Sequence, residues 1–432
     1  MRLQYFTTLT GAISTVNGAL SDPPHDTALR MLSSIQQRGQ ATLDAGGSTG
    51  FIQLGLFWQA LAIVTEPGPI SPANDELRPL LQESLASSIP AFANVTKDAE
   101  LPLDRLSLGA SMVAWSLSSP TTNTSDTFLP TILALNDSLA LQPRNANGGL
   151  WYYNNVNNIT AYQNLSYLDG MYSYAPYITM ASHLDENNLD SLNALEAALQ
   201  QVQLLHDACV QPSGLLVHGY DAIKAHAWAN ESTGASPEVW GRSLAWYSLG
   251  LLNTLEAAAL EPSLLQTSAY NRLQALFEEA MYAQARAAER SRALTGVSGV
   301  WQVVDRPGEA GNFVEASSSF MTAYTMLRGA RLDLSDYSGV KATVSYGNEQ
   351  DWNCTEGLLR SVAMGIYESV AQQYLITYAN GSLSLNGTSS VASLSPQNVG
   401  YEYYVSRPVE LDSLIGTSAF ALASYEMGRL DG

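Results

Sequence analysis

Basic residues are scarce in this chain. Twenty lysines and arginines stand against 40 aspartates and glutamates, and the only lysines are Lys97, Lys224 and Lys341. A net charge of −20 excludes nucleic acid and anionic membrane surfaces as partners, because their phosphates would be repelled. Any site for an anion must rest on arginine, histidine and neutral donors. Cysteine is nearly absent: Cys209 and Cys354 suffice for one disulfide or stand as two buried thiols, and are too few for a disulfide framework. The five histidines lack ligand spacing, which leaves no structural zinc motif. The body of the chain also lacks an apolar run of about 18 residues, the length a membrane-spanning helix needs.

What is present begins with a leader-like amino terminus. Arg2 precedes a mildly apolar stretch, Leu3 to Ala19, that ends in small residues before Ser21-Asp22-Pro23-Pro24. That order reads as a secretory signal over residues 1–20, followed by one domain over 21–432. The threonines diluting the apolar centre keep a first amphipathic helix open as the other reading. Nine Asn-X-Ser/Thr sequons, at Asn94, Asn123, Asn136, Asn158, Asn164, Asn230, Asn353, Asn380 and Asn386, agree with a secreted protein carrying N-glycans.

Helical periodicity runs from end to end, broken by Gly/Pro/Asn/Ser loops. It predicts twelve helices, at 27–44, 51–65, 75–92, 105–118, 127–140, 168–184, 189–208, 238–259, 264–288, 314–328, 359–376 and 412–428. In the seventh, Leu192, Leu195, Leu199, Val202 and Leu205 form one apolar stripe behind a cap at Asp190 or Ser191. No strand–helix alternation accompanies them, so a parallel-sheet enzyme is excluded. Twelve unlike helices in sequence fit an all-α (α/α)6 barrel of six hairpins. Short strand-like pieces, Gly299–Val304 and Glu402–Val405, are expected as excursions at its mouth.

Three clusters carry candidate chemistry. Asp169, in Leu168-Asp169-Gly170-Met171-Tyr172, reads from local sequence first as a helix cap. Its other reading is a carboxylic acid in an aromatic pocket, where desolvation raises the pKa until it can donate a proton. His218 lies in a loop before Gly219, where a ligand can reach it. In Ser236-Pro237-Glu238-Val239-Trp240-Gly241-Arg242-Ser243-Leu244-Ala245-Trp246-Tyr247, Ser236 and Pro237 suit a helix start. Trp240 and Trp246 are then sugar platforms or core residues, and Arg242 can fork onto a carboxylate.

Those strings together resemble glycoside hydrolase family 105, the unsaturated rhamnogalacturonyl hydrolases, related to the unsaturated glucuronyl hydrolases of family 88. The similarity extends to Pro102-Leu103-Asp104-Arg105-Leu106-Ser107, to Trp301-Gln302-Val303-Val304-Asp305 followed by Gly311-Asn312-Phe313-Val314-Glu315-Ala316-Ser317, and to Tyr403-Tyr404-Val405 through Gly416-Thr417-Ser418-Ala419-Phe420. It implies an (α/α)6 barrel acting on oligosaccharides that end in a uronate with a C4=C5 double bond, as pectin lyases leave behind. Carried over, Asp169 protonates C4 and then takes a proton from water adding at C5. The hemiketal opens and releases the neighbouring sugar. Asp104 is the second carboxylate, expected to keep Asp169 protonated by like-charge coupling. His218, Trp240, Arg242 and Trp246 line the pocket, and no metal or organic cofactor is implied.

One departure concerns specificity. Many bacterial members carry a His-Lys pair where this chain reads Tyr152-Tyr153, after Gly148-Gly149-Leu150-Trp151. Both tyrosines join the candidate substrate contacts. Two rival readings stand beside this one: a conventional glycosidase acting on an intact uronosyl linkage, and a sugar-binding barrel without turnover. Pure binding needs no paired acids, which argues against the second.

Overall fold

A computed structural model describes residues 22–43, 49–66, 76–92, 94–118, 125–154, 160–184, 190–334 and 355–430. The leader, Cys354 and the sequons at Asn123, Asn158 and Asn353 lie outside these. All twelve expected helices are present: α1 Pro24–Gln37, α2 Gly50–Val64, α3 Pro79–Ser88, α4 Arg105–Ser118, α5 Ser125–Ala140, α6 Gly170–Ala181, α7 Ser191–Cys209, α8 Gly241–Ala259, α9 Ser268–Thr295, α10 Ala316–Arg331, α11 Glu356–Tyr374 and α12 Leu414–Met427. Two short helices, Val95–Asp98 and Tyr401–Val405, join them.

The even-numbered helices form the inner ring. Each packs on the next, and α12 returns to α2, which closes the barrel; the odd-numbered helices lie outside. Sequence dictates the division. An outer helix buries one stripe: α9 turns Leu273, Leu276, Phe277, Ala280 and Met281 inward. An inner helix is buried on every side, as every residue of α12 is. Such helices meet closely only where side chains are small. A Cβ on Gly250 of α8 would lie 2.5 Å from the Met171 carbonyl oxygen of α6.

Boundaries shift where long-range pairing overrides local signals. The eighth helix was expected from 238 behind a Ser236 cap, yet α8 begins at Gly241. Residues 239–241 are held extended instead: Val304 N–H donates to Val239 O at 3.0 Å, and Gly241 N–H to Gln302 O at 3.1 Å. Glu402–Val405, expected as strand-like, is helical, with Ser406 N–H closing onto Glu402 O at 3.1 Å. The ninth helix runs past 288 to Thr295, because Gly296 supplies the left-handed residue that ends it at φ 75°. Gly299–Val304 does behave as an excursion, bridging Trp240 to Val303 and Trp301 to Val314.

Short antiparallel pairs lie in the segments that lead into the inner helices: β1 Leu165–Tyr167 with β2 Gly219–Asp221, β3 Leu375–Thr377 with β4 Leu383–Leu385, and β5 Thr388–Ser389 with β6 Val409–Glu410. They gather loops at one mouth of the barrel, where the inner helices begin. Gly250→Ala tests the closeness of the ring. Helix propensity alone would favour alanine by about 0.8–1 kcal/mol. Overpacking against Met171 should instead destabilise by roughly 1–3 kcal/mol, read from the urea midpoint, and an unchanged or raised midpoint would contradict the packing.

Candidate active site

Two carboxyls sit at the starts of adjacent inner helices. Asp104 immediately precedes α4, its backbone carbonyl accepting from Ser107 N–H at 3.0 Å and Ser107 Oγ at 2.7 Å. Its Oδ1 accepts a short hydrogen bond from the Tyr152 hydroxyl. Asp169 occupies the residue before α6, but its backbone is helical and its side chain caps nothing. The carboxylate turns away, accepts a short hydrogen bond from Ser243 Oγ of α8, and faces His218 Nε2 at 3.6 Å. The cap reading of Asp169 therefore fails.

Burial controls both acids. It pushes Asp169 up to about 6, against the Ser243 hydrogen bond and the Arg242 charge that favour ionisation. It pushes Asp104 up to about 8, with the Tyr152 hydrogen bond opposing and the Asp169 charge adding to the rise. The two carboxyls are thus coupled, with burial the larger cause for each. Asp104 is the carboxyl that keeps its proton longest, and desolvation more than a neighbouring charge holds the proton on Asp169.

His218 was expected in an exposed loop and is fully buried, because its flanks are pinned on both sides. Its N–H donates to Glu238 O at 3.2 Å and its carbonyl accepts from Leu168 N–H at 3.1 Å. Burial drives its pKa down to about 3, so the imidazole is neutral. Nδ1 lies 2.9 Å from the Tyr404 hydroxyl, a phenol that burial holds well above its usual range and therefore protonated. With that O–H donating to Nδ1, the imidazole proton is assigned to Nε2, the nitrogen that faces Asp169. Nε2 is buried with no hydrogen-bond partner among the described residues. It is an unmade bond aimed at the Asp169 carboxyl.

Arg242, in the first turn of α8, is the anchor of the cluster. Its Nη2 donates to Glu315 Oε1 at 2.7 Å and to Ser389 Oγ at 2.9 Å, with a further short bond to the Ser389 carbonyl; Nε donates to Ser317 Oγ at 3.0 Å. Burial alone would push Glu315 up. The Arg242 charge and the N–H groups of Ser318 and Ser389 outweigh it and hold the carboxylate below its ordinary value. The expected bidentate fork onto a substrate is thus already spent on protein groups. Only Nη1 carries no hydrogen bond among the described residues.

The aromatic candidates divide in the same way. Trp240 is buried beside His218, ring centres 4.7 Å apart, and its Nε1 donates to Gln302 Oε1 at 3.2 Å. Trp246 packs on Tyr172 at 4.6 Å, below the carboxyls, and supports the floor of the cluster. Tyr152 serves Asp104. Tyr153 stays half-buried at the rim against Tyr152 and Tyr162. Tyr404, Ser243, Tyr167, Gln302 and Ser389 complete the site; Ser243, Gln302 and Tyr404 lie in strings that carry the family resemblance, but nothing local assigns any of the five a role. Gln302 alone ties Trp240, Ser389 and the Tyr404 carbonyl, at 3.2, 3.2 and 3.0 Å. These partners lie tens to hundreds of residues apart, and no local pattern pairs them.

A protonated carboxyl and a neutral imidazole in a water-poor cluster can deliver one proton and recover one. Comparison with known proteins bears on family and fold. The sequence profile of Glycosyl Hydrolase Family 88 matches residues 83–344. The chain is 29% identical over 244 residues to the 24.9 kDa protein in picA locus of Rhizobium radiobacter, covering 54% of this chain and 90% of that one. Its fold is similar to that of a glycoside hydrolase from family 105 of C. acetobutylicum, with TM-score 0.72, 22% identity and coverage of 93% and 98%. It is also similar to the unsaturated glucuronyl hydrolase of Bacillus sp. GL1, with TM-score 0.57, 13% identity and coverage of 93% and 95%.

Glu315→Gln tests the anchor. It leaves the Arg242 charge buried without a counter-charge, a change that costs about 3–5 kcal/mol in comparable buried pairs. Glu315 titrates below its unfolded value, so its contribution is complete above about pH 4.5 and is lost as pH falls through the depressed folded value. Wild type and variant should therefore differ in unfolding midpoint at neutral pH and converge in acid. Equal midpoints at pH 7 would show that the pair contributes nothing.

Proposed function

Because the chain belongs to Glycosyl Hydrolase Family 88, we propose that this glycoside hydrolase releases the terminal 4,5-unsaturated uronate from pectin-derived, rhamnogalacturonan-type oligosaccharides by hydrating the C4=C5 bond. The observation that carries the reading is Asp169: buried, facing Nε2 of a neutral histidine, and holding its proton up to about pH 6.

In this reading Asp169 gives its proton to C4. The resulting carboxylate is stabilised by the Ser243 hydroxyl and the Nε2–H of His218, both already aimed at Oδ2. It then takes the proton of a water adding at C5, and the hemiketal opens to release the neighbouring sugar. Asp104, still protonated where Asp169 works, offers the sugar a neutral O–H. The acid form of Asp169 exists below its raised pKa, so turnover belongs to the acidic side and falls as pH rises through about 6.

Charge supports the pectin side of the proposal. A sulfated glycosaminoglycan presents several anions, whereas a chain of net charge −20 with three lysines and one free nitrogen on Arg242 is fitted to a single uronate carboxylate beside a neutral sugar. The exposed sequons Asn94, Asn230, Asn380 and Asn386 support a secreted, N-glycosylated enzyme working outside the cell.

The test is an unsaturated rhamnogalacturonan disaccharide beside its saturated counterpart. The wild type should remove the near-ultraviolet absorbance of the conjugated alkene while releasing the partner sugar. Asp169→Asn should keep the fold and lose about 10²–10⁴-fold in rate. Cleavage of the saturated sugar with the alkene left intact would identify a conventional glycosidase. Binding of the disaccharide without turnover would identify a sugar-binding barrel.

A further inference from the structure

A cavity of about 750 Å³ opens between the carboxyl-terminal halves of the inner helices and reaches up to Ser107 and Tyr172, in the first turns of α4 and α6 beneath Asp104 and Asp169. From Arg242 at the active-site end of α8 to Glu256 in the cavity wall is fourteen residues, or roughly 20 Å at the helical rise. The contact between Tyr172 and Trp246 lies between the two regions. Its volume falls within the range that holds small ligands, about 300–1,000 Å³.

The wall has a definite chemistry. Trp58, Trp115 and Tyr172 supply aromatic surface, the kind of face on which sugar rings pack. Beside them Gln59 and Asn253 form a reciprocal amide pair: Gln59 Nε2 donates to Asn253 Oδ1 at 2.9 Å, and Asn253 Nδ2 to Gln59 Oε1 at 3.2 Å. The Tyr172 hydroxyl fills the remaining place on Gln59 Oε1 at 3.0 Å. Among the described residues each amide nitrogen still has one N–H free, and Asn253 Oδ1 one lone pair. Those donors and acceptor match neighbouring hydroxyls of a sugar. Charge is balanced. Arg328 is taken up by Glu256 and Glu426, at 2.5–3.0 Å, and its cavity neighbours are Glu66 and Arg78. Arg78 donates to the Thr65 carbonyl at 3.2 Å, and the lining as a whole sets two arginines against two glutamates, with no excess of positive charge to draw in an anion.

We propose that this cavity is a second carbohydrate site, taking a neutral sugar of one or two rings at the opposite mouth of the barrel from the catalytic carboxyls. It discriminates against uronates, which the catalytic mouth takes, because its two arginines are matched by two glutamates and leave no excess positive charge. It does not depend on the reaction assigned to Asp169, since binding here is read without turnover.

The test uses the full-length protein and three probes, L-rhamnose, D-galactose and D-galacturonate, with tryptophan fluorescence as the signal. A neutral sugar should give saturable quenching that Asp169→Asn leaves unchanged. Trp115→Ala and Asn253→Leu should each weaken it by roughly tenfold or more, while turnover of the unsaturated disaccharide and the far-ultraviolet dichroism stay at wild-type levels. Absence of saturable binding by either neutral sugar would overturn the site, as would binding that both variants leave intact. Equal or tighter binding of D-galacturonate would overturn the assignment of a neutral ligand.

Discussion

Removing carboxyls from water while leaving them able to exchange protons is the constraint on which this structure depends. Asp104 and Asp169 sit where two inner helices begin, at a mouth closed by loops and aromatic rings. Desolvation is the largest influence on both, and it alone would leave two neutral acids of little use. The hydrogen bonds separate them. Ser243 lowers Asp169 toward the range where a general acid can work, and Asp104 remains higher despite Tyr152. Two carboxyls of one residue type thus acquire different tasks through their neighbours.

The surrounding shell has to be rigid for that difference to persist. Arg242 and Glu315 join the first turns of α8 and α10 to β5, so three loops share one buried ion pair. Its charges are costly to bury, and the hydroxyls and N–H groups around them offset that cost. Gln302 then links the Trp240 loop to the segment carrying Tyr404. Tyr404 in turn orients His218. A displacement of any of these loops would reach Asp169 through at most two hydrogen bonds. Small residues on the inner helices permit this, since bulkier ones would hold the ring open.

How much of this is legible in the sequence depends on distance along the chain. The stripe of Leu192 to Leu205 and the small-residue inner helices announce a helical barrel, because periodicity is local. The Leu-Asp-Gly-Met-Tyr and Trp-Gly-Arg strings carry Asp169 and Arg242 by resemblance. Local reasoning misjudged both in detail. Asp169 looks like a cap, and only Ser243, 74 residues on, and His218 turn it inward. Arg242 looks free to bind substrate until Glu315, 73 residues on, claims it. The start of α8 was misplaced because Ser236-Pro237 is a good cap locally, and pairing with residues 302–304 prevails. Tyr404, 186 residues from His218, lies in a string that resembles the family, but nothing local ties it to that histidine.

The central claim is that burial keeps the proton on Asp169 into the range where it must donate it. The most direct measurement is a carbon-13 titration of the aspartate side-chain carboxyls from about pH 3 to about pH 9, with Asp169→Asn and Asp104→Asn used to assign the two signals. The account predicts that Asp169 titrates at about 6 and Asp104 higher, at about 8. An Asp169 signal that moves near the ordinary aspartate value of 3.8 would contradict it, because no proton would remain on that carboxyl for transfer to C4.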